Sequence, residues 1–366
     1  MNRFFYYLIL INMITSIVAT NPKVLLHSSD KGAILSMILA VVAGLVFTYI
    51  VTTFFNKFPG EGLPELLTKF TPTWFSKPVL AYLSITFYLA GLITLITYTH
   101  ILKRFLTPEM SVYIVILSFV LFVSFGILMK TRSVLYTVEI ILVLSSPIIL
   151  FMLVKAYANP IVDWDAVRIA MMHINHLPEL NSFTTALFIL MGSANLVIFN
   201  RIFTKQQTFS FKSLLFFAGM SIAVLFTMYF IPIGYGGFDK IKDLNFPWIS
   251  TTDSMRMRFG MIERVTFIFM LFYLGIALLS IVIHWHTAYH LINGLFPKQR
   301  IKKKKINFTP YLIIISFWSL AIALTKILTE YQLFQYTITF DNFLLLFFFI
   351  LLIAFIAVNR GAKKND

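Results

Sequence analysis

Ten stretches of the chain are long, apolar and almost free of charged residues. Each contains about 20 mostly apolar residues, the length that an α-helix needs to cross a bilayer. None alternates apolar and polar positions as a barrel strand would. In chain order, spans one to ten cover residues 4–22, 32–56, 79–102, 110–129, 134–154, 180–200, 213–238, 265–296, 306–325 and 342–359. The pattern predicts an all-α polytopic membrane protein with about ten transmembrane helices in one transmembrane domain, 1–366.

Two of these stretches need comment. The first resembles a signal peptide, with Arg3, an apolar run and Ala19, but its cleavage-site pattern is poor and many spans follow. It is therefore predicted to be span one. The eighth stretch is longer than a crossing requires, so its end is expected to leave the membrane near His286.

Composition supports a membrane location. Hydrophobic residues make up 59% of the chain and charged residues 12%, whereas soluble domains carry about 25% charged residues. A net charge of +15 is also compatible with nucleic-acid binding, but the basic residues lie between apolar runs and not in one patch. The expected partners include membrane lipids and exclude nucleic acid. The chain has no cysteine, which excludes disulfides and thiolate sites.

The charged residues are divided unequally between alternate loops. The loops on the side of the N-terminus hold 18 of the 30 basic residues, including the lysine run 302–305, and three of the 15 acidic residues. That side has a net charge of +15 and the other side +1. Because Lys and Arg are enriched in cytoplasmic loops, both termini are predicted to be cytoplasmic.

Two loops between spans are unusually long. Residues 159–181 are expected to form short helices on the outer surface, and residues 239–264 form a mixed-charge segment. Histidines occur in two groups without an adjacent acidic ligand, and interfacial histidines are common, so no metal site is predicted. These groups are His173 with His176, and His284 with His286 and His290. No serine, histidine and acid arrangement supports catalysis, so neither an enzyme nor a cofactor is expected.

Ten spans without a nucleotide-binding loop suggest a secondary-transporter scaffold. Such scaffolds are often two inverted repeats of five spans, here about 4–157 and 180–359, in which spans one and six correspond. Both spans are interrupted: Pro22 ends the first, and small and polar residues interrupt the sixth from Gly192 to Asn195. Broken helices offer free amide and carbonyl groups to a solute, although small residues also allow close helix packing. The candidate ligand-binding residues at these breaks and on facing spans are Thr15, Ser16, Thr20, Gly192, Ser193, Asn195, Tyr98 and Tyr273.

Glu139 is the only carboxylate predicted to lie within a span. It is a candidate proton or cation relay, because ionisable groups inside membranes are often functional. It lies about two helical turns from Arg132, so it is equally compatible with a carboxylate near the interface that pairs with Arg132 or Lys130. The sequence leaves both interpretations open.

Four segments carry a resemblance to a known family. They are LILINMITSIVATNP followed by SSDKGAILSMILA, NKFPGEGLPELL after span two, FLTPEMSVYIVI at the start of span four, and FPWISTTDSMRMRFGMIERVTFIFM before span eight. In their order and spacing, over nearly the whole chain, they resemble the spore germination permease family. These proteins are the B subunits of nutrient germinant receptors, within the amino acid–polyamine–organocation superfamily. Positions that match the family pattern are Asp30, Thr107, Pro108, Pro247, Glu263 and Arg264.

The resemblance implies a LeuT-like bundle that recognises a small germinant. Family members act with an A subunit and a lipoprotein C subunit in the inner spore membrane, and Glu263 and Arg264 are expected to have a structural or partner-binding role. Three positions depart from the pattern of many relatives. Thr15 and Ser16 replace glycines, Tyr136 and Thr137 stand where an arginine is usual, and Asn200 and Arg201 stand where a proline often ends span six.

Three functions are compatible with these features. The first is a nutrient-sensing receptor subunit that binds a small germinant, with an amino acid preferred, between spans one and six. The second is an amino-acid or ion symporter without a signalling role. The third is a scaffold with no ligand of its own.

Overall fold

A computed structural model describes residues 2–207, 210–255, 264–296 and 308–365 of the chain. Within these ranges the protein is built from α-helices and short 3₁₀ helices. The α-helices, α1 to α15 in chain order, are Arg3–Val18, Asn21–His27, Ala33–Asn56, Leu63–Phe70, Thr73–Phe105, Val112–Leu128, Thr131–Ala158, Trp164–Met171, Leu180–Leu190, Leu196–Phe199, Phe211–Gly236, Pro247–Asp253, Val265–Leu295, Thr309–Ile327 and Glu330–Asn365. The 3₁₀ helices are Met172–Asn175, Met191–Asn195, Asn200–Ile202 and Ile241–Asp243.

The long helices confirm an all-α polytopic membrane protein. In the described ranges, eight helical segments are long and apolar enough to cross a bilayer, and the bent pair α1 and α2 makes a ninth. The apolar helix α6 has 17 residues and is therefore about 26 Å long, close to the thickness of the hydrocarbon core. These ten elements correspond one to one with the ten predicted spans.

Several predicted boundaries are wrong. Span three begins earlier, because α5 starts at Thr73 and continues through Pro78. The exit of span eight from the membrane near His286 stays a prediction: α13 continues to Leu295, and His286 is buried within the protein. Span ten begins at Glu330 and not at residue 342, since no glycine or proline interrupts the chain between Glu330 and residue 360.

The two long loops contain short helices. As predicted, residues 159–181 form α8 and the 3₁₀ helix Met172–Asn175. Gly32, which has a φ of 85°, lies against this loop: a Cβ atom there would be 2.0 Å from the carbonyl oxygen of Leu177. Only glycine fits this position. The second loop contains Ile241–Asp243 and α12, and its residues 256–263 lie outside the described part of the chain.

The interrupted sixth span lies at the centre of the bundle. In its most apolar 18-residue window, 89% of the residues are buried, against 22% for α7 and 28% for α14. Helices α5 and α13 pack along each other beside this centre. The peripheral helices expose large apolar side chains such as Leu144 and Phe125, which is the expected pattern for a lipid-facing surface.

Loops predicted to share one membrane face lie together in the structure. Arg201, after span six, forms an ion pair of 2.8 Å with Glu65, which follows span two. At the other end of the bundle, Arg104 after span three pairs at 2.8 Å with Glu330 before span ten. An even number of predicted crossings separates the partners in each pair, so the contacts agree with the predicted alternation of the loops.

Candidate functional site

The first span is broken at a proline. Helix α1 ends at Val18, α2 begins at Asn21, and the two axes are bent by 58°. Pro22 has no amide hydrogen, and its ring would clash with the carbonyl of Val18 in a continuous helix. Ala19 is accordingly extended, and the regular hydrogen-bonding pattern starts again with the carbonyl of Thr20, which accepts from the amide of Val24. The break therefore confirms the interruption predicted in span one.

The sixth span is also interrupted, by a tighter helix. Between α9 and α10 the chain forms the 3₁₀ helix Met191–Asn195, which contains Gly192, Ser193 and Asn195. Ser193 shares a hydroxyl–hydroxyl hydrogen bond of 3.1 Å with Thr48 of α3. The side-chain nitrogen of Asn195 donates to the carbonyl of Gly192, while its side-chain oxygen is buried without a partner. Both predicted breaks are thus present, without the wide separation of two half-helices at span six.

Asn12 joins the two interrupted spans. Its side-chain nitrogen donates to the carbonyl oxygens of Phe188 and Ile189, at 2.9 and 3.0 Å. These carbonyls precede the 3₁₀ helix, where the regular hydrogen-bonding pattern changes. Close by, a Cβ atom on Gly192 would come within 2.7 Å of the Cα of Ile9. The glycine therefore allows the backbones of the two spans to touch, and the asparagine fixes their register.

A cavity with both polar and apolar walls lies beside the break in the first span. Its empty space is about 370 Å³ including open solvent, but the part that can hold the centre of a water molecule is only about 10 Å³. That is room for about one water molecule. The lining comes from α1, α2, α5, α9, α13 and α15: Asn12, Thr15, Ser16, Ala19, Thr20, Asn21, Ala90, Ile93, Thr94, Phe188, Ser280, Thr337, Phe340 and Asp341.

The predicted site residues fall into separate groups. Thr15, Ser16 and Thr20 line the cavity, whereas Gly192, Ser193 and Asn195 do not line it and pack nearby against α1 and α3. The three residues of span six take part in helix packing, which the sequence analysis gave as the alternative to ligand binding. The structure thus places the candidate residues of span one in the lining of one cavity, and those of span six outside that lining.

The cavity hydroxyls are held by their own helices. Thr15 donates to the carbonyl of Ile11 at 2.7 Å, and Ser16 donates to that of Asn12 at 2.8 Å. A hydroxyl that donates in this way keeps its oxygen lone pairs for a second partner. Thr20 donates across the cavity to the hydroxyl of Thr337 at 3.3 Å, so the first span is tied to α15. The cavity is consequently rich in oxygen acceptors.

Asp341 is the site residue that sequence reasoning missed. It lies in α15, is 1% exposed, and accepts a hydrogen bond of 2.6 Å on Oδ2 from Thr185 of α9. Its Oδ1 atom is buried without a hydrogen-bond partner. The expectation that Glu139 is the only carboxylate within a span is therefore wrong. The sequence analysis began span ten at residue 342, where the charge-free stretch begins, whereas the helix begins at Glu330 and includes Asp341.

The two tyrosines lie in a second cavity. Tyr98 and Tyr273 face each other there with Val18 and Met270, and this space likewise has room for about one water molecule. The hydroxyl of Tyr98 is buried and has no partner. The structure brings the two tyrosines together, but beyond the end of α1 and not among the hydroxyls of the first cavity.

Glu139 pairs with a residue that the sequence did not single out. Its Oε1 atom lies 3.0 Å from Nε of Arg3, and the Arg3 side chain is largely exposed. Arg132 instead stacks its guanidinium over the ring of Tyr136. Glu139 thus has a cationic partner, as the interpretation of a carboxylate near the interface requires. That partner is Arg3 and not Arg132 or Lys130.

Two of the histidines of α13, His284 and His286, are held in hydrogen bonds. His286 contacts the carbonyl of Ile127 at 2.9 Å and the hydroxyl of Thr131 at 3.1 Å, and His284 contacts the carbonyl of Ser280 at 2.7 Å. In the described part of the chain, no three His, Cys, Asp or Glu side chains are grouped as a metal site would require.

The Glu-Arg pair before span eight is only partly described. Glu263 lies outside the described residues, and Arg264 is exposed just before α13. By contrast, Glu65 accepts two hydrogen bonds from Arg201, at 2.8 and 3.2 Å. This pair joins α4 to the end of the sixth span, at one of the positions where the chain departs from the family pattern.

A family model described as spore germination protein matches residues 2–327. The match runs from the first span to the end of α14 and includes the predicted family segments. The chain belongs to this spore germination family. The resemblance inferred from the sequence is thus confirmed. No curated protein matches the chain. Helix α15, with Asp341, lies beyond the matched residues.

Proposed function

We propose that this chain is a nutrient germinant receptor subunit that binds a small germinant in the cavity beside the broken first span. The main observation in support of this function is the position of the cavity. In a chain of the spore germination family, the buried polar residues of the break line a space shared with α5, α9, α13 and α15. Sites at helix breaks near the middle of a bundle are typical of transporter folds.

The narrowness of the cavity bears on how a signal would arise. A space for about one water molecule is smaller than any amino acid, so a germinant enters only if the lining helices separate. A ligand then favours the wider arrangement because it binds that arrangement better. We propose that the separation occurs at the bend between α1 and α2 and at the hydroxyl contact of 3.3 Å between Thr20 and Thr337.

Membership of the family supports a proposal about the location and the partners of the protein. We propose the inner spore membrane as its location, both termini in the cytoplasm, and the A subunit and the lipoprotein C subunit of a germinant receptor as its partners. The distribution of Lys and Arg supports the orientation, because the loops that hold more of these residues belong on the cytoplasmic side. The small germinant is expected to be an amino acid.

Germination of a deletion strain tests this function. Spores without the chain are exposed to a panel of amino acids, sugars, nucleosides and salts, and germination is followed by the fall in optical density. We expect the response to at least one nutrient to disappear and to return when the gene is restored. An unchanged response to the whole panel would contradict the receptor function.

Transport separates the receptor from the symporter. The purified chain is placed in liposomes, and uptake of the nutrient identified by the deletion strain is measured with and without an ion gradient. We expect binding without sustained concentrative uptake. Steady accumulation driven by the gradient would favour the symporter instead.

A further inference from the structure

Asp341 is a buried carboxyl group without a cationic partner. The side chain is 1% exposed, Thr185 donates a hydrogen bond to its Oδ2 atom, and the Oδ1 atom has no partner among the described residues. In the part of the chain that the structure describes, no Lys, Arg or His forms an ion pair with it. An ionised carboxylate in such a place is strongly destabilising unless a cation approaches it. The unpartnered Oδ1 atom is therefore expected to bind a positively charged group or a proton.

The same cavity holds an unpartnered donor. The side-chain nitrogen of Asn21, at the start of α2, is buried without a hydrogen-bond partner, and the residue is 2% exposed. Asn21 and Asp341 both line the cavity. A buried donor and a buried acceptor that both lack partners destabilise the protein, and one ligand with the complementary groups would satisfy both.

We propose that Asp341 binds the ammonium group of the germinant, and that Asn21 donates to an oxygen of the same molecule. This inference rests on the proposed function and narrows it to ligands that carry a protonated amine. The carboxylate attracts the ammonium, and the hydroxyl oxygens of Thr20 and Thr337 supply further acceptors beside it. Sugars and nucleosides lack the cation that Asp341 requires.

An amine explains the pair of groups better than an alkali cation does. A bare Na⁺ or K⁺ is bound by oxygen atoms alone, and the amide hydrogens of Asn21 would be left without an acceptor. A zwitterion satisfies both groups at once, because its carboxylate accepts where its ammonium donates. The apolar side chains of Ile93, Phe188 and Phe340 leave little room and favour a small side chain on the ligand.

Thermal unfolding of the purified full-length chain in detergent tests the assignment. The midpoint is measured against increasing glycine, L-alanine, propionate, lactate, glucose and inosine, and against NaCl compared with choline chloride. Any compound that binds the folded state raises the midpoint. We expect one or both amino acids to raise it, and the deaminated acids, the sugar and the nucleoside to have no effect at the same concentration.

The variants Asp341→Asn and Glu330→Gln make the test specific. Asp341→Asn keeps the size of the side chain and an oxygen for Thr185, but removes the charge. Glu330→Gln makes the same kind of change in the same helix, outside the cavity, where Glu330 pairs with Arg104. We expect Asp341→Asn to raise the half-saturating amino-acid concentration at least tenfold, and Glu330→Gln to leave it within twofold of wild type. Asn21→Ala is expected to raise the half-saturating amino-acid concentration severalfold.

The outcomes separate this inference from the proposed function. If glucose or inosine stabilises the wild type and Asp341→Asn alike, the chain has a ligand but Asp341 does not select it, and the inference is overturned. Equal amino-acid affinity in Asp341→Asn and wild type overturns it too. A midpoint raised by Na⁺ and lost in Asp341→Asn, without an effect of amino acids, would assign the site to an alkali ion instead. If no compound stabilises the wild type, the proposed function itself fails.

Discussion

Gly192 shows why small residues interrupt the sixth span. A Cβ atom at this position would lie 2.7 Å from Cα of Ile9 and 2.9 Å from the carbonyl oxygen of Leu8, and both are backbone atoms that cannot rotate away. The residue thus sets how closely the two broken spans approach. The sequence marked it as a candidate for ligand binding, but a side chain at this position would meet the backbone of α1.

Replacement of Gly192 by alanine is expected to destabilise the protein. Overpacking of a tight contact costs about 1–3 kcal/mol in the free energy of unfolding, and the helix backbones must shift to relieve it. The measurement is the midpoint of thermal unfolding in detergent. Gly219→Ala in α11 is the matched control, because nothing lies within 4 Å of a Cβ atom there. A midpoint for Gly192→Ala equal to that of the control would contradict the tight contact.

Asn12 is the corresponding polar contact between the same two spans. Removal of its amide leaves the carbonyls of Phe188 and Ile189 without this donor, so Asn12→Ala should lower the free energy of unfolding by about 1–3 kcal/mol. Asn175→Ala, at an exposed position, should change it by less than about 0.5 kcal/mol. Thermal unfolding of both variants checks this, and equal midpoints would show that Asn12 does not hold the spans together.

At the scale of elements, the sequence predicted most helices and one of the two breaks in detail. Charge-free stretches of about 20 residues located ten apolar helices because a bilayer demands that length. Pro22 located the first break because proline cannot continue the hydrogen bonding of a helix. The second break has no proline, and its tightened turn depends on contacts with Asn12 and Thr48 that only the folded chain provides.

Only part of the site could be predicted from the sequence, because the contacts between distant segments form only in the folded chain. Thr15, Ser16 and Thr20 were found because they lie at the proline break, whereas Asp341 was excluded from span ten by its own charge. A charged residue inside an uninterrupted helix that starts at Glu330 is the signal that could have located it. The absence of glycine and proline from this segment was visible in the sequence, but its neighbour Thr185 was not.

The arrangement of Glu139 leads to a prediction about that candidate relay. The pair joins a largely exposed Arg3 side chain to a Glu139 side chain that is 17% exposed, and ion pairs with an exposed partner contribute about 0–1 kcal/mol. Glu139→Gln spores should therefore germinate at nearly the wild-type rate. A loss of germination and ion release, with normal amounts of protein in the membrane, would show that Glu139 takes part in the signal.

At the scale of the whole molecule, the alternation of loops makes a prediction about topology. The chain has no cysteine, so single cysteines report on one position each. Met172→Cys in the loop 159–181 should react with a membrane-impermeant maleimide in intact cells, and Lys363→Cys should react only after permeabilisation. The reverse pattern would contradict the orientation, and labelling of both from one side would contradict the number of crossings.

The central claim is that the cavity beside the broken first span binds the germinant, and substitution of one lining residue tests it most directly. Thr15→Leu fills the cavity with a larger apolar side chain, and Thr339→Leu makes the same change at an exposed position of α15. The measurement is the nutrient concentration that gives a half-maximal germination rate, with the amount of each variant in the membrane determined by immunoblot. We expect Thr15→Leu to abolish the response or to raise that concentration at least tenfold, and Thr339→Leu to resemble wild type. A wild-type response from Thr15→Leu, at equal amounts of protein, would show that the germinant binds elsewhere.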